Sequence, residues 1–285
     1  MTTARTPRRT VPPAVDGAFA RWLADGAAEL LLDLRAEMGF ADPDALRREG
    51  DKRSHEYLAG MLARWRPDDA VLSEEGDRDD PARLTAERVW IVDPLDGTRE
   101  FGEDGRSDWA VHVGLWTRTS TAPSRLSAAA ITLPAAYRTM GTDFPPPYPP
   151  LSPQVAGGGK LRFVASRSRP PALLAHVADE LGADLVPMGS AGAKVAAVIT
   201  GDADAYVHAG GQYEWDSAAP VAVALATGLH ACRIDGSALE YNQANPFLPD
   251  LVVCRKDLAS TLLSAISKAR SWTPETASAT VGRTG

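Results

Sequence analysis

The alternation of strand-like and helix-like segments after residue 160 limits the fold of this chain more than any other feature of its sequence. Short runs rich in branched apolar residues alternate there with longer runs in which apolar residues recur every three or four positions. The predicted strands are Leu161–Ala165, Asp184–Pro187, Ala203–His208, Leu229–Ile234 and Leu251–Arg255, and the predicted helices are Pro171–Leu181, Ala191–Thr200, Asp216–Ala226 and Leu258–Ala269. Such alternation is typical of an α/β domain, in which helices cover a largely parallel sheet.

The first 150 residues follow another plan, with helices first and strands afterwards. One amphipathic helix is predicted to begin near Asp16 and stop at Gly39, and a second to cover Arg53–Arg66 and end at Pro67. Apolar runs bounded by Gly, Pro or Asp then predict strands at Val71–Ser73, Val89–Asp93, Trp109–Trp116 and Ala128–Leu133. This half is therefore predicted to be α+β.

A segment rich in proline and glycine separates the two halves. Residues 143–159 contain six prolines and three consecutive glycines, a composition typical of linkers and long loops. We therefore predict an N-terminal α+β half, a linker, a C-terminal α/β half and two flexible tails. Their bounds are 14–150 for the first half, 151–160 for the linker, 161–270 for the second half, and 1–13 and 271–285 for the tails.

The composition excludes several classes of protein. With 285 residues, of which 44% are hydrophobic, the chain can bury a core without a disulfide or a structural metal. Its net charge of −7 argues against a nucleic-acid polymer or a membrane surface as partner, because both need a basic field. Neither a secretory signal nor an apolar run long enough to span a membrane is found. We expect a cytoplasmic protein whose cysteines, Cys232 and Cys254, are buried thiols in strands.

The most informative motif is the run Trp90–Phe101, which reads WIVDPLDGTREF. An apolar strand ends in Asp93, and the Pro and Gly that follow turn the chain at once, so Asp93 and Asp96 are predicted to point into one small volume. Two close carboxylates repel each other unless a cation lies between them, and ligands that are all oxygen favour Mg²⁺ over zinc. A bare DxxDG is more often an ordinary turn, but the complete run indicates a metal site.

Three further segments carry acidic residues at the ends of predicted elements. Glu74 and Glu75 follow a short strand, Asp216 opens a helix, and Asp51 precedes another helix. Each has a simpler interpretation, a solvated turn for the glutamates and a helix N-cap for the aspartates. Together with the first motif they would form one acidic cup that holds two or three Mg²⁺ ions around a phosphate.

These segments resemble the inositol monophosphatase superfamily of Mg²⁺-dependent, lithium-sensitive phosphatases. The family pattern is a Glu-Glu strand end, then D-P-x-D-G-T, then a late W-D, and the chain has Glu74-Glu75, Asp93–Thr98 and Trp215-Asp216 in that order. The resemblance extends over about residues 15–270 and implies the layered α/β/α/β/α sandwich of that family. The similarity is closer to the CysQ-type 3′(2′),5′-bisphosphate nucleotidases, in the segments Arg99–Phe101, Val164–Ser168 and Glu214–Asp216.

The resemblance also implies the metal ligands. Glu74, Asp93 and Asp216 would bind metal through their carboxylates, and Asp96 would be shared between two ions. The backbone carbonyl of Leu95 would complete one coordination shell.

The same resemblance implies direct, in-line transfer of the phosphoryl group to water. Thr98 and Asp51 would orient and help to deprotonate that water, and the backbone N–H groups of Gly97 and Thr98 would bind the phosphate. One departure concerns Asp51, because Arg48 stands where the family usually has Thr three residues earlier.

Recognition of the rest of the substrate is less strongly indicated. Ser166 and Arg167 lie in the segment that resembles the nucleotidases. Ser190 and Lys194 would meet a second phosphate or a ribose hydroxyl, or else they are a helix cap and a solvated lysine.

A glycine-rich stretch just before Asp216 would admit a flat base against Tyr213, with Gln212 available for hydrogen bonds. His112 and His230 lie in apolar runs and are predicted to be core residues without a chemical role.

The substrate implied by the resemblance is adenosine 3′,5′-bisphosphate, whose 3′-phosphate would be removed to give AMP in sulfur assimilation. Inositol 1-phosphate and fructose 1,6-bisphosphate are alternatives, because the metals would grip only the phosphate. An alternative of another class is a non-catalytic phosphate-binding regulator on the same fold. In each case the expected ligand is a small phosphate monoester. The sequence is compatible with either a monomer or a homodimer.

Overall fold

The computed structural model describes residues 11–76, 81–120, 124–151, 157–168 and 170–271. The helices are α1 (Asp16–Met38), α2 (Pro43–Trp65), α3 (Thr98–Phe101), α4 (Ala172–Leu181), α5 (Ala191–Thr200), α6 (Glu214–Thr227) and α7 (Ala259–Ser271), with short 3₁₀ helices at Pro81–Leu84 and Pro134–Ala136. The strands are β1 (Ala70–Ser73), β2 (Arg88–Asp96), β3 (Ala110–Thr117), β4 (Arg125–Leu133), β5 (Arg138–Gly141), β6 (Arg162–Ser166), β7 (Asp184–Met188), β8 (Ala205–Tyr213), β9 (His230–Cys232) and β10 (Phe247–Cys254).

The first sheet contains β1 to β5 in chain order. Strand β1 runs parallel to β2, and the other neighbours are antiparallel. Near the end of β2 the register shifts by one residue, since Asp93 lies opposite His112 but Asp96 lies opposite Ala110. Residues three apart on a regular strand face opposite sides, so this irregularity is what lets both aspartates face one region.

The second sheet has the order β7-β6-β8-β10-β9. Its first three strands are parallel, so they end at one edge of the sheet, at Met188, Ser166 and Tyr213. Helices α5 and α6 begin just beyond the ends of β7 and β8. The chain therefore brings strand ends and helix starts together at this edge, which is where ligands bind in many α/β proteins.

Five layers stack in the order helix, sheet, helix, sheet, helix. Helices α1 and α2 pack on the outer face of the first sheet, α5 and α6 lie between the sheets, and α4 and α7 cover the far face of the second. Gly114 of β3 lets α6 approach, because a Cβ there would lie 3.3 Å from the Ala219 backbone nitrogen. The predicted layered sandwich, with an α+β half followed by an α/β half, is confirmed.

The second helix differs from its prediction. It begins at Pro43, ten residues before the predicted start, and Asp42 caps it by accepting a hydrogen bond of 2.9 Å from the Ala45 backbone N–H. Asp42-Pro43 is a strong start signal that the interpretation of the sequence overlooked. As a result Asp51 lies inside α2 and is not its cap.

Other differences concern the ends of elements. Strand β8 continues to Tyr213 and β10 begins at Phe247, because these two strands pair over their whole length. The cysteines are free and buried, in β9 and β10, as predicted. Residues 152–156 of the predicted linker, and the tails at 1–10 and 272–285, lie outside the described residues. In the part of the chain that the structure describes, no helix is both long and apolar enough to cross a membrane.

Candidate active site

Three aspartates meet where the two halves of the chain come together. Asp93 and Asp96 lie at the end of β2, and Asp216 lies in the first turn of α6. One carboxylate oxygen of each lies within 4.8 Å of the others. The motifs around residues 93 and 216 are therefore joined in one cluster, and oxygen atoms at this spacing could hold a divalent cation.

The electrostatics of the cluster favour a cation. Asp93 is 1% exposed, and burial, followed by the charges of Glu74, Asp96 and Asp216, raises its pKa well above the usual range. Burial and the charge of Asp96 raise the pKa of Asp216 to about 7. The Oδ2 atom of Asp93 is buried and receives no N–H or O–H hydrogen bond from the described residues. A buried carboxylate oxygen without a donor is costly, and a divalent cation bound there would offset the cost of burial and the repulsion between the carboxylates.

Glu74 belongs to the same group of charges. It follows β1 at the edge of the first sheet. Burial raises its pKa to about 7, and the neighbouring charges of Asp96, Glu75 and Asp51 act in the same direction. The predicted ligands Glu74, Asp93, Asp96 and Asp216 are thus brought together from separate segments.

Asp96 is held differently from its neighbours. Its carboxylate accepts hydrogen bonds from the Ser190 hydroxyl, from the Ala191 N–H at 3.1 Å and from the Gly192 N–H at 2.6 Å. Although burial alone would raise the pKa of Asp96, the neighbouring His112, the charge of Lys194 and the hydrogen bond from Ser190 together lower it to about 2. A carboxylate of the first half thus occupies the N-terminus of α5 in the second half, where an anion is stabilised.

His112 does more than fill the core. It is fully buried, as predicted, but its Nε2 lies 3.2 Å from Oδ2 of Asp96. Its Nδ1 lies 3.0 Å from the Trp215 carbonyl oxygen, which can only accept, so Nδ1 is the donor. Gly192 makes room for the ring, because a Cβ there would lie 2.0 Å from Nε2. His112 therefore links β3 both to Asp96 and to the turn that carries Asp216, a role that its apolar sequence neighbours did not indicate.

Asp51 and Thr98 face each other across the gap between α2 and the start of α3. The Thr98 hydroxyl lies 3.2 Å from Oδ1 of Asp51 and 3.0 Å from the Leu95 carbonyl oxygen. Burial raises the pKa of Asp51 to about 6, while the hydrogen bond from Thr98 opposes that shift. Gly50 permits this approach, because a Cβ there would lie 2.6 Å from the Phe101 ring.

Gly97 makes the turn between the aspartates and α3. It has φ of 86°, and a Cβ would lie 3.1 Å from Cβ of Ser190 and 3.2 Å from the Asp108 carbonyl oxygen. Both the conformation and the space therefore require glycine. Its position beside Ser190 places the phosphate-binding turn that we predicted next to α5.

Two of the residues predicted to bind the rest of the substrate, Ser190 and Arg167, form hydrogen bonds within the protein. The Ser190 hydroxyl bonds to Asp96 and accepts from the Ala193 N–H at 2.9 Å, so it caps α5 and holds a predicted metal ligand. Arg167 donates to Glu100 at 2.6 Å and to Glu103 at 3.0 Å, so it bridges the two halves. Ser166 ends β6 beside it.

Lys194 is not a solvated lysine, which corrects one of the two alternatives for this residue. It is 5% exposed, and its Nζ donates to the carbonyl oxygens of Ser190 at 2.7 Å and Gly189 at 3.2 Å. This buried cation holds the turn that carries the Ser190 hydroxyl.

Tyr213 is 37% exposed and lies in an aromatic group next to the cluster. Its N–H donates to Oδ2 of Asp216 at 2.6 Å, and its ring stacks on Trp215 with centroids 4.6 Å apart. The ring edge of Phe247, which is 47% exposed, completes the group at 6.0 Å from Tyr213. Phe247 was missed because only the pairing of β10 with β8 brings it there. Gln212 is 8% exposed, and its buried Nε2 has no hydrogen-bond partner among the described residues.

Comparisons with known proteins agree with this geometry. The family model described as the inositol monophosphatase family matches residues 23–132 and 158–271. A relative from Mycobacterium leprae (strain TN), named 3′-phosphoadenosine 5′-phosphate phosphatase, is 50% identical over 88% of this chain and 93% of its own. The 3′(2′),5′-bisphosphate nucleotidase CysQ of Salmonella typhimurium is 28% identical over 70% of this chain and 80% of its own.

A solved structure supports the fold. Inositol monophosphatase II from Staphylococcus aureus has a TM-score of 0.68 and 20% identity, covering 86% of this chain and 92% of its own. The family model matches well over half of the residues. The chain belongs to the inositol monophosphatase family.

Proposed function

We propose that this protein is a Mg²⁺-dependent phosphatase that hydrolyses the 3′-phosphate of adenosine 3′,5′-bisphosphate to give AMP and phosphate. The observation that carries the proposal is the 50% identity, over nearly the full length of both chains, to a 3′-phosphoadenosine 5′-phosphate phosphatase. The similarity to a CysQ nucleotidase points to the same reaction. Its place would be the clearance of this nucleotide during sulfur assimilation, in the cytoplasm.

Four carboxylates would hold the metal. Glu74, Asp93 and Asp216 offer carboxylate oxygens from three segments, Asp96 would be shared between ions, and the Leu95 carbonyl would add a neutral ligand. When bound, two or three Mg²⁺ ions would neutralise phosphate charge, make the attacking water more acidic and stabilise the leaving oxygen. The raised pKa values of Asp93 and Asp216, and the buried Oδ2 of Asp93, support this assignment.

Asp51 and Thr98 would handle the proton of the attacking water. The Thr98 hydroxyl already contacts Asp51, and a carboxyl with a pKa of about 6 can accept a proton near neutral pH. The pair lies next to the turn at Gly97, whose N–H and that of Thr98 would bind the phosphate. The water would therefore attack in line with the departing oxygen of the substrate.

The other residues that we propose for substrate binding are assigned from their positions. Ser166 ends β6 at the edge where α5 and α6 begin, Arg167 follows it directly, and Ser190 would act through Asp96. Tyr213, which is 37% exposed, would offer its ring to an adenine, with the Phe247 ring 6.0 Å away. Gln212 would donate a hydrogen bond to the base. Aromatic faces stack on nucleotide bases with about 1–3 kcal/mol per base.

A non-catalytic regulator is the weaker alternative, because a protein that only binds phosphate does not need a base. Here the three clustered aspartates, the neighbouring Glu74 and the contact between Asp51 and Thr98 are all present. Small sugar phosphates remain alternative substrates, since they would meet the same metal centre.

Following the reaction by ³¹P NMR tests both the activity and its position on the nucleotide. With adenosine 3′,5′-bisphosphate and Mg²⁺ we expect the 3′-phosphate signal to disappear while AMP and free phosphate form. Asp93→Asn should abolish the reaction without changing the shape of the residue. Loss of the 5′-phosphate instead, or equal turnover by Asp93→Asn, would exclude the proposed reaction.

A further inference from the structure

A buried carboxylate that the proposed mechanism does not use lies two residues before Asp216. Glu214 is the first residue of α6 and is 1% exposed. Its carboxylate accepts hydrogen bonds from the Asn242 N–H at 2.6 Å and from the Gln243 N–H at 2.8 Å. Its own N–H donates to the Pro246 carbonyl oxygen at 2.8 Å. Residues 242–246, here called the strap, are therefore tied across the first turn of α6.

A buried arginine from the first half holds the same strap from another side. The guanidinium of Arg83, a residue that is 1% exposed, donates to Oδ1 of Asn242 at 2.8 Å and to the carbonyl oxygens of Gln243 at 2.8 Å and Ala244 at 3.1 Å. The Asn242 amide returns a hydrogen bond of 3.1 Å to the Arg83 carbonyl. Asn242 has φ of 60°, a left-handed conformation in which asparagine is among the residues best tolerated.

The two buried groups, Glu214 and Arg83, both form hydrogen bonds with the strap. Glu214 takes N–H groups of the strap, and Arg83 takes its carbonyl groups and one side chain. Buried charged groups are tolerated when they are hydrogen-bonded, and here the strap accepts from both terminal nitrogens of Arg83 and donates to both oxygens of Glu214. Removing Glu214 would leave two N–H groups of the strap without an acceptor, and removing Arg83 would leave its oxygens without that donor.

Packing alone does not hold the strap in place. Several of its residues line a cavity of about 910 Å³, together with Leu84 and Trp116. Gln243 and Ala244 are exposed on that side. The polar contacts of Glu214 and Arg83 are therefore the contacts that fix the strap against α6.

Arg83 and Glu214 each lie close to a predicted metal ligand. The 3₁₀ helix that contains Arg83 lies against β1, the strand that directly precedes Glu74, and Glu214 lies in the same helical turn as Asp216. The strap thus joins the two segments that carry predicted metal ligands from opposite halves of the molecule. A shift of the first turn of α6 would move Asp216 relative to Glu74.

We propose that Arg83, Asn242 and Glu214 are positioning residues that set the separation of Glu74 and Asp216 and thereby the affinity of the site for its cation. The proposal rests on the proposed function only for the presence of a divalent cation, and not for the identity of the substrate. Partners beyond the direct ligands commonly change metal affinity by about 10- to 100-fold.

The test measures cation binding directly, with Mn²⁺ alone as the probe, by calorimetry and by the electron paramagnetic resonance of free Mn²⁺. Glu214→Gln keeps the shape but turns an amide N–H₂ towards a backbone N–H. Asn242→Gly keeps the left-handed backbone and removes only the contacts to Arg83. Glu240→Gln is the matched control, an exposed glutamate on the same loop that lies outside the contacts described here.

We expect Glu214→Gln and Asn242→Gly each to weaken Mn²⁺ binding by about tenfold, and Glu240→Gln to leave it unchanged. At saturating Mg²⁺ both variants should regain kcat to within about threefold, because Asp51 and Thr98 are untouched. Wild-type Mn²⁺ affinity in both variants would overturn the proposal, and so would a loss of kcat that saturating Mg²⁺ does not restore.

The milder Asn242→Gly keeps the test decisive if Glu214→Gln folds poorly. Failure of the proposed function looks different, because the wild type would then bind Mn²⁺ but release no phosphate from the nucleotide.

Discussion

The Gly192 backbone N–H donates to Oδ2 of Asp96 over 2.6 Å, so the first turn of α5 in one half of the chain holds a carboxylate from the other half. A helix N-terminus stabilises an anion. The charge of His112, the charge of Lys194 and the hydrogen bond from Ser190 lower the pKa of Asp96 to about 2 against the opposing effect of burial. Its neighbour Asp93 has no such support and a raised pKa. We therefore expect the charge of Asp96 to stabilise the metal-free fold and the charge of Asp93 to destabilise it.

Replacing each aspartate by asparagine in chelator should separate these contributions. Asp93→Asn removes a buried charge that is repelled by its neighbours, so we expect a higher midpoint of urea unfolding. Asp96→Asn removes the anion from the N-terminus of α5, and we expect the free energy of unfolding to fall by about 1–3 kcal/mol. Both variants should lose phosphatase activity. If both variants shift the urea midpoint in the same direction, the two aspartates do not have opposite effects on stability.

The metal-free protein should become less stable as the pH rises towards 8. The pKa values of Asp51, Glu74 and Asp216 are raised to about 6, about 7 and about 7, above those of unfolded carboxylates. The folded state therefore binds more protons than the unfolded state, and the stability from these groups is lost as pH rises through their folded pKa values. Urea unfolding in chelator at about pH 5.5 and about pH 8 measures this difference.

Mg²⁺ should reverse that trend, because the cation competes with the same protons. Its affinity should rise over the same pH interval as the carboxyls lose their protons. A metal-free protein that gains stability between about pH 5.5 and about pH 8 would contradict the assignment of these carboxyls to one charge cluster.

The pair Asp51 and Thr98 should act on turnover and leave metal binding intact. We expect Asp51→Asn and Thr98→Ala each to lower kcat by about 10²- to 10⁴-fold, as loss of a general base does, with little change in Mg²⁺ affinity. Thr98→Ser keeps the hydroxyl and should retain most of the activity. A loss of Mg²⁺ affinity equal to the loss of kcat would assign the pair to the metal centre instead.

Two glycines of α2 provide a matched test of how that helix is placed. A Cβ on Gly50 would lie 2.6 Å from the Phe101 ring, whereas nothing lies within 4 Å of a Cβ on Gly60. Gly50→Ala should push α2 away from the turn at Leu95, costing about 1–3 kcal/mol of stability and lowering kcat through Asp51. Gly60→Ala should stabilise the helix by up to about 1 kcal/mol. Urea unfolding and steady-state kinetics of the two variants check both, and equal effects would show that space around Gly50 is not what places Asp51.

Local motifs allowed most of the fold and much of the candidate site to be predicted. The strand that carries Asp93, the glycine turn at Gly97 and the helix that carries Asp216 depend on neighbouring residues, whose turn and capping preferences are short-range. That strand was predicted to end at Asp93 but continues to Asp96. The alternation after residue 160 was enough to predict the second half. The start of α2 was predicted wrongly only because the signal at Asp42-Pro43 was overlooked.

Contacts between distant segments could not be predicted in the same way. His112 looks like a core residue in its strand, and only the folded chain places it 3.2 Å from Asp96. The same holds for Arg83 and Asn242, which lie 159 residues apart in sequence. Their pairing depends on how the two halves stack, and no local pattern of one chain encodes that.

The most direct test of the proposed function is phosphate release from adenosine 3′,5′-bisphosphate, inositol 1-phosphate and fructose 1,6-bisphosphate measured in parallel. Each substrate would be assayed with Mg²⁺ and with chelator, and with Asp93→Asn as the control. We predict the highest kcat/KM for the nucleotide, with no turnover in chelator or by the variant. A higher kcat/KM for either sugar phosphate, or turnover that survives the chelator, would contradict the proposal.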